Sequence, residues 1–68
     1  MARGTVKWFD NDKGFGYIEP ESGGEEVFVS HSDVKVAGFP TLSAGQTVEY
    51  ESLTGPKGPQ ARDVKPVG

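Results

Sequence analysis

The chain has 68 residues, 7 basic and 10 acidic side chains for a net charge of −3, no cysteine and one histidine. That size predicts one domain over residues 1–68 with a modest core. It excludes disulfides and a zinc site of the usual Cys/His kind, so no metal or cofactor is expected and the core alone must hold the fold.

The opening "MARGTVKWFD" lacks the apolar run of a secretion signal. No segment approaches the roughly 20 apolar residues of a membrane helix. A soluble, cytoplasmic protein with no membrane partner is expected, and a chain free of cysteine suits a reducing compartment. Ten glycines and five prolines punctuate the chain, and no window shows helical apolar spacing. The segments between them are rich in Val, Thr, Phe, Tyr and Trp, which predicts strands over 4–10, 15–19, 26–30, 47–53 and 59–65.

"NDKG" reads as the tight turn between the first two strands, with Gly14 supplying the special dihedrals. "PESGGEE" closes the next hairpin. "HSDVKVAGFPTLSAG" is the long connection, with a short helical turn expected near residues 32–35, capped by Ser32 or Asp33. "TGPKGP" is the last loop, and residues 66–68 are expected to fray. The fold class is therefore all-β. Five short antiparallel strands in so small a chain predict a small closed barrel, because a single open sheet would leave one whole face wet.

Parity then sorts the faces. Val6, Ile18, Val27, Val29, Val48 and Tyr50 are the natural fillers of a narrow interior. If Ile18 points in, Phe15 and Tyr17 point out. If Val27 and Val29 point in, Phe28 points out. Gly16 then lies on the inner side, where a curled strand suits a residue with no side chain. The first strand is ambiguous. Val6 and Trp8 share parity, as do Lys7 and Phe9, so Trp8 faces out only if a bulge or bend follows Val6. The rings cluster within residues 8–28 and interleave with Lys7 and Lys13. Exposed rings beside lysines form a stacking platform for single-stranded nucleic acid. The net acidity opposes a nucleic-acid partner, but it is concentrated around "EPESGGEE". Residues 1–18 carry Arg3, Lys7 and Lys13 against Asp10 and Asp12.

"GTVKWFDNDKGFGYIEP", "VFVSHS" and "KGPQA" together resemble a bacterial cold-shock protein over nearly the whole chain. "KGFGYI" follows the ribonucleoprotein pattern of basic, Gly, aromatic, Gly, aromatic, aliphatic. RNA-recognition-motif domains share it, but they need two helices and a second aromatic motif placed ahead of the first. The resemblance implies a five-stranded OB-type barrel that binds single-stranded RNA and DNA with low sequence selectivity. It implies stacking rings at Trp8, Phe15, Tyr17 and Phe28, with Phe39 from the long connection and Phe9 at the edge. Lys7, Lys13 and Lys57 would approach the backbone or base edges. One departure stands out. Ser30 occupies the position where the family commonly has histidine, and His31 follows where another aromatic is frequent. A one-residue shift on a strand reverses the face, so His31 joins the platform only if the strand has already ended.

The expected function is a monomeric RNA chaperone, with no enzymatic site. "KGFGYI" lacks the third glycine and the following helix of a dinucleotide fingerprint. Two other readings use the same rings: a protein-interaction barrel gripping a proline-rich peptide, and a related barrel serving as a subunit of the translation or transcription machinery.

Overall fold

The structure, a computed structural model, describes residues 2–35, 41–56 and 58–67. It contains strands β1 (Ala2–Asp10), β2 (Phe15–Pro20), β3 (Val27–Ser30), β4 (Thr47–Gly55) and β5 (Gly58–Pro66), with a 3-10 turn, His31–Asp33, after β3. The strands close a barrel in the order β1-β2-β3-β5-β4. The expected strands are all present. β4 and β5 run further toward each other than the two prolines suggested, pairing as far as Gly55 with Gly58. Gly58 adopts φ 109° at that pair, a region costly for any residue with a Cβ. The expected fraying does not reach Pro66, which pairs with Val48, or Val67, whose N–H donates to the Thr47 carbonyl at 2.9 Å. Gly68 lies outside the described residues.

Four seams are antiparallel. The fifth, β3 with β5, is parallel: Phe28 stands opposite Gln60, and the pairing resumes past the 3-10 turn as a bridge between Val34 and Val64. Nothing local in the sequence marks this seam. It follows from the long connection, which carries the chain from the end of β3 to the start of β4. The 3-10 turn begins one residue earlier than expected. Neither Ser32 nor Asp33 caps it; Ser30 takes the N-cap position without a side-chain hydrogen bond.

The six predicted fillers all lie inside, each 2 % exposed or less, and Val34, Leu42, Ala61 and Val64 complete the core. Fully burying a Val, Leu or Ile side chain contributes about 1.5–3 kcal/mol, and the core has eight of these together with Tyr50 and Ala61. Burial raises the Tyr50 phenol above its ordinary range. No buried side-chain polar atom among the described residues lacks a partner.

The β1 ambiguity resolves as a bulge. Val6 pairs with Ile18, but Trp8 pairs with Tyr17, so Lys7 is the extra residue and the parity of β1 reverses beyond it. Trp8 turns outward, 39 % exposed. Phe9 turns inward, opposite Gly16, and packs against the core. Gly16 is what permits this. A Cβ there would lie 2.2 Å from the Trp8 carbonyl oxygen and 2.7 Å from the Phe9 Cα. The glycine lets β1 and β2 approach closely where β1 bends.

Candidate functional site

The bulge brings Trp8 into one cross-strand row with Tyr17 and Phe28. Phe15 stands two residues before Tyr17, on the same outer face of β2. The four rings touch in a closed circuit. Trp8 meets Phe15 edge-on at 5.6 Å and Tyr17 at 5.5 Å. Phe28 stacks on Phe15 at 5.9 Å, 24° from parallel, and meets Tyr17 edge-on at 5.8 Å. Offset and edge-on ring pairs each contribute about 0.5–1.5 kcal/mol beyond area burial. The circuit therefore holds itself in place while presenting ring area to water.

The remaining predicted residues distribute around this circuit. No ring contact among the described residues involves Phe9, which serves the core side of β1. Lys13 is exposed in the β1–β2 turn. That turn is held by the Asp10 carboxylate, which accepts hydrogen bonds from the Asp12 and Lys13 amides, each at 3.0 Å, and by Gly14 at φ 78°. Lys7, extruded by the bulge, pairs with Glu26 just before β3, and the hydrogen bond it donates to that carboxylate raises its pKa. Phe39 and Lys57 lie outside the described residues.

His31 sits beyond the end of β3, as it must to escape the parity of that strand. Its amide donates to the Gly14 carbonyl at 2.8 Å, and its Nδ1 lies 3.2 Å from the same oxygen. Ser30, the last residue of β3, pairs with Phe15. His31 is thereby placed at the Phe15 end of the ring circuit, beside Lys13. The opposite end of β2 leads through Glu19 into the acidic loop. Acidic side chains crowd that end and the β2–β3 loop (Glu19, Glu21, Glu25 and Glu26), while the β1–β2 turn carries Lys13 beside Asp10 and Asp12.

Two features were not legible beforehand. Glu26 as the partner of Lys7 depends on the bulge. A small apolar cleft of about 200 Å³ beside Phe28, lined by Pro56, Gly58, Pro59 and Gln60, depends on the parallel β3–β5 seam. No group of three or more His, Cys, Asp or Glu side chains able to hold a metal ion occurs among the described residues. Among the described residues no helix is long and apolar enough to cross a membrane.

Comparison with known proteins bears on what this surface is for. A family model described as "'Cold-shock' DNA-binding domain" matches residues 2–67. The chain is 54 % identical over 67 residues to a cold shock-like protein CspA of Stigmatella aurantiaca, covering 98 % of each chain. It is 51 % identical over 67 residues to a cold shock-like protein CspD of Escherichia coli K12, covering 98 % of this chain and 90 % of that one. The barrel is also similar to a solved structure described as "drosophila Unr CSD456", with a TM-score of 0.81 at 18 % identity, covering 98 % of this chain and 26 % of that one. At that identity the likeness speaks for the OB-type fold alone.

Proposed function

Since the chain belongs to the cold-shock domain family, we propose that it binds single-stranded RNA and DNA on the Trp8–Phe15–Phe28–Tyr17 circuit, as one domain over residues 1–68 and as a monomer. The observation that carries this reading is the closed circuit of four rings on the outer face of β1–β3, with Trp8 the most exposed large hydrophobic side chain among the described residues. Unpaired bases lay their faces on such rings at about 1–3 kcal/mol each. Lys7, Lys13 and Lys57 meet the phosphates. Bases within a duplex are already stacked and cannot reach the platform.

Binding the single strand in preference to the duplex shifts the pairing equilibrium toward open RNA by mass action. An RNA chaperone of this kind needs no nucleotide hydrolysis and no cofactor, and it acts in the cytoplasm. The test is a titration with a thymidine heptamer, followed through the fluorescence of Trp8, the one tryptophan. Strong quenching that weakens as salt rises is expected. An unchanged signal, or equal affinity for a duplex of the same length, overturns the reading.

A further inference from the structure

The outer face of β2 continues past the rings. Phe15 and Tyr17 are followed on that face by Glu19, which is exposed. Glu19 stands opposite Thr5 of β1, and Thr5 stands opposite Thr47 of β4. Two residues of strand span about 6.6 Å, so this row is the next step down the sheet from Trp8 and Tyr17. One step further, the Glu21 amide donates to the Arg3 carbonyl at 2.9 Å. Together these rows line a groove of about 600 Å³, with Arg3, Thr5, Glu19, Glu21 and Thr47 around it. The groove therefore opens on the same outer face as the platform, where the rings stop.

Its shape would admit a strand, but its charges oppose one. Arg3 is the one cation of the lining, and it donates to Glu49 of β4 at 2.8 Å. Glu49 in turn faces Lys65 of β5 across the next seam. Lys7 lies between the groove and the rings in the order of β1, and it is paired with Glu26. Glu19 and Glu21 make no ion pair among the described residues. An ionised carboxylate has no proton to offer a phosphate, so it gives repulsion alone. That repulsion fades over about 10 Å in roughly 0.1 M salt. It is felt most by the nucleotide that steps off Tyr17 and least by those at the Phe15 end.

We propose that Glu19 ends the footprint of the bound strand: it closes to phosphates a groove that the sheet leaves open beyond the Trp8–Tyr17 row, and so confines the strand to the rings. The inference rests on the single-strand reading given above, and it adds a limit to the length of strand the protein reads. Glu21 extends the same barrier one row further.

The experiment titrates thymidine oligomers, from tetramer to dodecamer, by Trp8 fluorescence against the wild-type chain, Glu19→Gln and Glu19→Lys. The quantity read is the ratio of variant to wild-type affinity at each length, in which the gain from extra binding registers on a long strand largely cancels. For the tetramer, one base to a ring, both ratios are expected to stay near one. For the dodecamer they should reach about three for the glutamine and about ten for the lysine. The lysine variant should also give a dodecamer salt plot steeper by about 0.7, the increment for one phosphate neutralised on a single strand. Glu51→Lys makes the same change of net charge on β4, and its ratio should not rise with length. Glu19→Gln, the smaller change, carries the test alone if the lysine variant does not fold. A ratio that is the same at every length overturns the boundary, whether it equals one or exceeds it. So does a Glu51→Lys ratio that climbs as steeply as that of Glu19→Lys. No quenching of the wild-type chain by any of the oligomers overturns the single-strand reading and the boundary with it.

Discussion

On the outer face of β4 and β5, Glu49 stands opposite Lys65 and Glu51 opposite Arg62. On the outer face of β2 and β3, Tyr17 stands opposite Phe28. Both surfaces cover the same interior, with Val48, Tyr50, Ala61 and Val64 beneath one and Ile18, Val27 and Val29 beneath the other. Opposite charges facing each other across a ladder are an ordinary way for a strand pair to meet water. The β4–β5 surface thus shows that a barrel of this size does not need exposed rings to exist. Rings at the corresponding places on β1–β3 suit the role proposed for them, a platform for a strand outside the barrel.

The largest effect should come from reaching through the platform to the wall behind it. Ile18→Ala is expected to cost about 2–5 kcal/mol of folding stability in urea unfolding. Its neighbour Tyr17→Ala should leave the fold much less affected while weakening heptamer binding by about 1–3 kcal/mol. If Tyr17→Ala unfolds the protein as readily as Ile18→Ala, the rings are part of the core and the contrast between the two surfaces collapses.

Gly16→Ala probes the line where inner and outer faces exchange roles. The added methyl would press on the Trp8 carbonyl and the Phe9 Cα. A loss of about 1–3 kcal/mol is expected, accompanied by weaker quenching of Trp8 as β1 is displaced. An unchanged urea midpoint would show that the two strands have slack at the bulge.

Two smaller effects separate the charges of the two surfaces. Glu26→Gln releases Lys7 from its ion pair. Heptamer affinity should rise about three-fold at most, with a salt plot steeper by up to about 0.7. An unaltered slope would mean that Lys7 does not meet a phosphate. On the other surface, Arg3 donates to Glu49 at 2.8 Å across the β1–β4 seam. First that hydrogen bond and then the charge of Arg3 hold the Glu49 carboxyl below its ordinary range. A lowered folded-state pKa contributes stability that is present above the unfolded value and lost as pH falls through the folded one. Glu49→Gln should therefore lower the urea midpoint slightly near neutrality and not at all in acid, with heptamer binding unchanged. A difference that does not vary with pH would show that the pair is held by packing and not by charge.

What was legible in the sequence followed from periodicity, which is a local property. Alternation on β2 and β3 assigned Ile18, Val27 and Val29 to the interior and Phe15, Tyr17 and Phe28 to the exterior. The same rule stalled on β1, because one extra residue reverses every face beyond it and no composition signal says where that residue lies. The bulge at Lys7 settles Trp8 and Phe9 together, in opposite senses. Val34, Leu42, Ala61 and Val64 escaped the expected core list because they come from the long connection and from β5, whose alternation is interrupted where Asp63 adopts φ 53°. His31 could be placed past the strand end, but its contact with Gly14 joins residues seventeen apart and no local pattern encodes it.

The parallel seam between β3 and β5 has a consequence for how the molecule is made. The four rings of the platform are assembled by β1, β2 and β3, which are joined by two short hairpins and so form from contacts near in sequence. The wall behind them is covered only when β4 has returned to β1 and β5 has reached β3, both of them distant closures that are slow on entropic grounds. Until the last strand docks, Val6, Ile18, Val27 and Val29 face water as openly as the rings do. A chain interrupted before β5 would thus display two apolar faces where the finished protein displays one.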